Sequence, residues 1–271
     1  MDVGPDKIYS VKSEITHKLM CKMKGRDFVS RQLNSEELLT KWEKRRAIQN
    51  LMVRFFSEDY LLRRVNKMYD TYWSKADDVC LGVNNGYYQG VEAVKSYYAG
   101  LDARVKLESS LIQKKYPKKL GNLSEEEVYG AGILDMKAIV APVIEIAGDD
   151  ATAKGIWTVH GMNTKLTTGG QVSYWERAYV AVDFVWEDNQ WKVWHLLYVQ
   201  DLDAPSGTDW VSPAPEYPAD PAYAEIANFK FPEPNVKMTV YETYSANRPF
   251  YAPPAYPEPY ETFAETFSYG L

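Results

Sequence analysis

Apolar residues recur at near-helical spacing from Leu38 and Leu39 through Trp42, Ile48, Leu51, Met52 and Phe55. Ser35-Glu36-Glu37 precedes them as an N-cap with early acids, so this stretch predicts a first helix. A second helix is expected from about Asp59 to Trp73, where Leu61, Leu62, Val65, Met68, Tyr69 and Tyr72 form one stripe. The pattern then shortens to strand-like runs. Asp78 to Val83 and Tyr87 to Gly90, joined by Asn84-Asn85-Gly86, predict a hairpin. Val91 to Leu101 reads as a third helix, and the charged residues 102–128 as an inserted helix and loop. Four strands are expected after that, at Ile133 to Ala147, Ala151 to Thr164, Val172 to Trp186 and Trp191 to Asp201. Gly148-Asp149-Asp150, Thr168-Gly169-Gly170 and Asp188-Asn189 supply the turns of a meander.

Helix, helix, hairpin, helix and four antiparallel strands make an α+β order, with the helices on one face of a strongly curved sheet that encloses a pocket. Residues 1–34 have too few apolar positions to bury a face and read as an arm. Residues 35–210 form the domain, with an insertion at about 102–128, and residues 211–271 are a Pro/Tyr-rich tail. A disordered tail is poor in aromatic residues, so this one is expected to wrap over its own domain or a neighbouring subunit.

Composition narrows the function classes. The 271 residues hold 45% hydrophobic and 25% charged positions, ordinary for a globular chain, and 21 Tyr and 8 Trp, which predict an aromatic core. A formal charge of -6 argues against nucleic acid as a partner, because phosphate contact needs clustered Lys and Arg. No apolar run approaches the roughly 20 residues that span a bilayer, so no membrane partner is expected. Cys21 and Cys80 lack metal-type spacing, and the N-terminus lacks a leader pattern, which reads as cytoplasmic. No phosphate-cradling glycine loop is present, so no cofactor is implied.

Three stretches resemble the SnoaL-like, nuclear transport factor two-like family, which includes polyketide cyclases, scytalone dehydratases and bile-acid dehydratases. They are Ile48 to Phe55 on the first helix; Pro142 to Asp149 with Lys154-Gly155-Ile156-Trp157; and Asp183 to Asp188 leading into Trp191 to His195. The resemblance spans about residues 36–205 and implies a cone-shaped fold with three helices on the concave face of a curved antiparallel sheet. It also implies a Tyr and an Asp or His on the first helix, and a His on the strand before Pro142-Val143-Ile144. Here Phe55 stands where Tyr is common, followed by Asp59 and Tyr60, and Asp135-Met136-Lys137 stands where His is usual.

Of the three histidines, His17 lies in the arm, leaving His160 and His195 on strands as acid–base candidates. Turn positions pair His160 with about Trp175 and His195 with about Val182, roughly 23 Å apart at about 3.3 Å per residue, so the two share no metal site. His160 falls near Asp201 and Asp203, which makes it the preferred base; His195, between Trp194 and Leu196, also fits a core histidine. Asp59 fits an N-cap as well as a catalytic acid, Tyr60 an oxyanion donor, and Lys137 a neutral base where desolvated. Glu176 and Asp183 fall on opposite faces of one strand.

These readings converge on a small-molecule lyase or isomerase. Such an enzyme removes a proton beside the carbonyl of a cyclic or polyketide-like compound and stabilises the enolate by Tyr or Lys donors. A general-base or metal-assisted ring-opening hydrolase and a non-catalytic ligand-binding module are the alternatives. A homo-oligomer is expected, joined through the sheet face and the tail, with residues 213–271 covering a neighbouring subunit.

Overall fold

The computed structural model describes residues 34–58, 65–212, 214–237, 241–250 and 252–271. The chain forms two compact units, residues 1–40 and 41–271. The arm, including His17, lies outside the described residues apart from Asn34, and so do Asp59 and Tyr60. In the first unit the described part is a helix start. Asn34, not Ser35, is the cap: its Oδ1 accepts from Glu36 N (3.0 Å) and Glu37 N (2.9 Å), while Glu37 Oε2 accepts from Asn34 N (2.9 Å). The acids predicted to follow the cap thus close a capping box one residue earlier.

Helix α1 spans Ser35–Glu58. In the second unit Ile48, Met52 and Phe55, spaced four and three apart, are its buried positions, whereas Trp42 is exposed. The predicted helix from Asp59 is a correction: its described part is a 3-10 turn at Val65–Lys67 followed by a short α2, Met68–Tyr72. Helix α3 runs Val91–Lys115, so the insertion expected after Leu101 begins as a continuation of that helix. Pro117 at the first position of α4 (Pro117–Leu120) ends it, because proline is tolerated only where a new helix starts. The short α5 (Glu125–Val128) has a Ser124/Glu127 capping box.

Among the described residues seven strands form one curved, unclosed sheet: β1 Cys80–Val83, β2 Gly86–Gln89, β3 Asp135–Ile146, β4 Thr152–Thr167, β5 Gly170–Glu187, β6 Gln190–Pro205 and β7 Val236–Lys237. Their order is β3-β4-β5-β6-β1-β2-β7, antiparallel except for the β1–β6 pair. Asp188 and Asn189, both at positive φ (50° and 59°), make the tight β5–β6 turn whose twist matches the strands. A register shift between Val140 and Val143, with Ala141 at φ 52°, bends the edge strand β3.

One face of the sheet packs Trp157, Val159, Ala178, Val180, Val182 and Phe184 against Ile48, Met52 and Phe55 of α1 and Val94 and Tyr98 of α3. The opposite, outer face carries Ile156, Tyr179, Ala181, Leu197 and Val199, which pack with Tyr269 of the tail. The tail therefore packs on its own chain, not on a neighbouring subunit as expected. It also seats Tyr223 and Ile226 on Leu111 and Ile112 of α3 and adds β7 to the edge of β2. Among the described residues no helix is long and apolar enough to cross a membrane.

Candidate functional site

Alternation along the strands brings Asp135 and Lys137 of β3, Gly161 and Asn163 of β4, Glu176 of β5 and Tyr198 of β6 to the helix-facing side. Lys137 lies opposite Gly161, which lies opposite Glu176. The glycine keeps this row open: a Cβ there would come 3.3 Å from Glu176 Oε2 and 3.2 Å from the Met136 carbonyl oxygen. Phe55 and Phe56 from α1, Tyr97, Tyr98 and Leu101 from α3, and Leu81, Val83 and Leu196 complete the walls of a cavity of about 150 Å³. Its lining is aromatic and aliphatic except where Asp135, Lys137, Glu176 and Tyr198 meet.

Each polar group has a definite state. Glu176, 7% exposed, accepts from the Tyr198 hydroxyl through Oε1 and from Asn163 Nδ2 through Oε2 (2.8 Å), so both of its oxygens are engaged. Burial, then the Glu176 carboxylate, holds the Tyr198 phenol well above its usual range, and it stays protonated. Asp135 pairs with the Lys137 ammonium. Burial pushes the Asp135 carboxyl up, Lys137 pulls it down, and the nearby Glu176 adds a smaller upward push. One carboxylate is thus clamped by two donors, and the other, raised by burial, pairs with a single lysine at the cavity wall.

Of the residues singled out from sequence, Lys137 belongs to this cluster and the two histidines do not. His160 is exposed on the outer face, opposite Arg177, two residues from the predicted register. Asp201, expected to orient its ring, is committed to the Arg177 guanidinium, which also donates to the Tyr179 hydroxyl (2.7 Å). His160 lines a wider cavity of about 740 Å³ that also takes in Met136, Met162, Trp175 and Trp210 and is bordered by Asp135, Lys137 and Glu176 of the polar row. His195 pairs across β5 with Asp183, six residues from Arg177, which keeps the histidines apart as the sequence indicated. Among the described residues no three His, Cys, Asp or Glu side chains are grouped to hold a metal.

His195 belongs to a second ionic cluster. Lys154, Asp183 and His195 face outward in one row, Lys154 and Asp183 at 0% exposure. Asp183 Oδ1 takes the Lys154 ammonium, and Oδ2 accepts from His195 Nδ1 (2.9 Å), Ser268 Oγ (3.2 Å) and Tyr269 N (2.8 Å). The rings of Phe263, Phe267 and Tyr269 surround Lys154 Nζ at 4.9, 4.5 and 4.6 Å from their centroids. Gly270 lets the tail lie on the imidazole, because a Cβ there would come within 2.8 Å of His195 Cγ. Ser268 and Asp183 both approach the same ring nitrogen, so this is not a nucleophile–base–orienter relay, which needs the two on opposite nitrogens.

Sequence reasoning passed over Asp135, Asn163 and Tyr198 as site residues. The available signal was alternation: Asp135 and Lys137 are two apart at the start of a strand whose next seven residues are apolar, and Leu196 and Tyr198 are two apart on another.

No family model and no curated protein matches the chain. Solved structures do. A function-unknown protein from Mycobacterium tuberculosis is 15% identical, covering 71% of this chain and 89% of its own, at TM-score 0.41. Hexachlorocyclohexane dehydrochlorinase LinA-type3 from Novosphingobium barchaimii is 18% identical, covering 65% and 99%, at TM-score 0.40. The Kfla4162 protein from Kribbella flavida is 13% identical, covering 60% and 94%, at TM-score 0.43. Likenesses at this level carry no chemistry over to the chain, and the site stands on its own geometry.

Proposed function

We propose that the domain is a cone-shaped lyase or isomerase of small carbonyl compounds, cyclic or polyketide-like, with Asp135 as its base. The observation that carries this reading is the raised Asp135 carboxyl beside the Lys137 ammonium, at the wall of an otherwise apolar cavity. Asp135 removes the proton next to the carbonyl, and the C–H electron pair passes into an enolate whose oxygen is held by Lys137 Nζ. Collapse of the enolate either returns the proton at another carbon or expels a β-hydroxyl, which takes the proton from Asp135 and leaves as water. Glu176, held by Tyr198 and Asn163, is a positioning residue that keeps the negative potential beside Asp135 fixed.

The polar row supports catalysis over a silent binding module, whose pocket needs only apolar walls. A hydrolase centred on His160 has weaker support: that ring borders the wider cavity but is exposed and, among the described residues, makes no hydrogen bond to the polar row. The test is deuterium exchange in D₂O, followed by NMR, over a panel of cyclic ketones, 1,3-diketones and acetophenones. At least one is expected to exchange faster with protein than without, and Asp135→Asn to lose about 100-fold or more of that rate. No exchange across the panel, or full exchange by Asp135→Asn, contradicts the reading.

Self-association through the sheet is part of the same proposal. Met136, Met162 and Trp175 remain exposed on the outer face at 48%, 40% and 51%. Trp175→Glu is expected to lower the particle mass in light scattering; a monomeric wild-type protein contradicts it.

A further inference from the structure

Strand β1 pairs with β6 only from Cys80–His195 to Gly82–Leu197, so β6 beyond Leu197 has a free edge. The Asn84 side chain caps that edge at Gln200, accepting from its N (2.8 Å) and donating to its O (2.7 Å). The tail takes the next position, with Tyr244 N donating to the Asp201 carbonyl (2.7 Å). Between this tail segment and the β1–β2 turn lies a chamber of about 730 Å³, lined by Val83, Asn84, Asn85, Tyr97, Tyr198, Gln200, Tyr241, Glu242, Thr243 and Arg248. Val83, Tyr97 and Tyr198 also line the inner cavity, so the two spaces share a wall.

The two spaces differ in chemistry. The inner one is small and apolar around its acid–base row. The chamber has tyrosines on one side, with the amides of Asn85 and Gln200 and the hydroxyl of Thr243 around them. Its one cation, Arg248, is neutralised by Glu242. Aromatic faces with neutral amide and hydroxyl groups recognise hydroxyl-rich, uncharged molecules, since the amides and hydroxyls hydrogen-bond, the rings cover apolar sugar faces, and the paired Arg248 and Glu242 demand no further counter-charge.

We propose that this tail-walled chamber is the outer half of the ligand site. The ligand is a carbonyl compound whose small apolar end enters the inner cavity while a neutral, hydroxyl-rich extension, such as a sugar, occupies the chamber. This rests on the acid–base reading of the inner cavity and adds the identity of the other end of the ligand. Gln200 and Thr243 are then specificity-determining, and the tail takes part in recognition.

The probes are 4-hydroxyacetophenone and its β-glucoside, which share one exchangeable acetyl group and differ by the extension. Calorimetry on the wild-type protein is expected to show the glucoside binding about tenfold tighter. Gln200→Leu and Thr243→Val, each in the full chain, are expected to bring that ratio close to one. Equal affinities in the wild type, or an undiminished ratio in both variants, overturns the proposal. Binding is also measured on Asp135→Asn, so that preference and chemistry are read separately. Preference without exchange upholds the chamber and removes the acid–base reading; exchange without preference removes the chamber.

Discussion

The sheet carries an ionic cluster on each face, and the two are built from similar side chains: Asp135, Lys137, Glu176 and Tyr198 on the helix side, Lys154, Asp183 and His195 on the outer side. In the outer cluster both Asp183 oxygens are engaged, the lysine sits among three rings, and the tail covers it. In the inner cluster the carboxylate of Asp135 meets one lysine and a cavity. Burial alone therefore does not mark a working site. A closed and fully bonded cluster fixes a fold, whereas a cluster with one raised acid next to open volume has somewhere for a proton to go.

Changes at the two aspartates give the largest effects and the sharpest contrast. Asp183→Ala leaves the Lys154 ammonium buried without its counter-charge and is expected to cost about 3–5 kcal/mol in chemical denaturation, with earlier proteolysis of the tail. A loss below about 1 kcal/mol breaks the contrast, because the cluster would then not be structural. Next in size is Tyr198→Phe, which deprives buried Glu176 of a donor and is expected to cost about 1–3 kcal/mol. It should also slow exchange by loosening the row; an unchanged melting temperature speaks against the clamp.

The pH dependence sharpens the comparison further. Asp135 must be ionised to accept a proton, and burial raises it above its ordinary 3.8. Exchange should therefore rise with pH along an acid limb shifted upward from that of an ordinary aspartate. Lys137 pulls Asp135 down, so Lys137→Met is expected to move that limb to higher pH as well as lowering the maximum. A limb that stays in place would separate Lys137 from Asp135. The smallest expected effect is that of His160→Ala, within about twofold in rate, as suits an exposed side chain with no hydrogen bond to the row. A large loss there would return the chemistry to the outer face.

Much of the fold was legible because its signals are local. The hairpin at Asn84-Asn85-Gly86, the four long strands and the Asp188-Asn189 turn sit within a few residues of their expected bounds. The region from Asp59 to Trp73 was less so: its apolar stripe resembles a helix, yet the described part is a 3-10 turn and five helical residues. The site was harder to read. His160 drew attention as a strand histidine, but a two-residue register offset places it opposite Arg177, whose guanidinium takes the Asp201 carboxylate as its hydrogen-bond partner. Glu176 and Tyr198 are 22 positions apart in sequence and meet only because β5 and β6 pair, which no short motif records. The seat of the tail on Lys154 and Asp183 depends equally on contacts between distant segments, so its aromatic residues announced burial without announcing where.

The central claim is that the inner cluster works and the outer one holds. Its most direct test measures deuterium exchange and thermal denaturation together on Asp135→Asn and Asp183→Asn. The account predicts that Asp135→Asn abolishes exchange with its melting temperature nearly intact, while Asp183→Asn lowers the melting temperature and, below it, still exchanges. The reverse pattern, exchange surviving in Asp135→Asn and lost in folded Asp183→Asn, would contradict it.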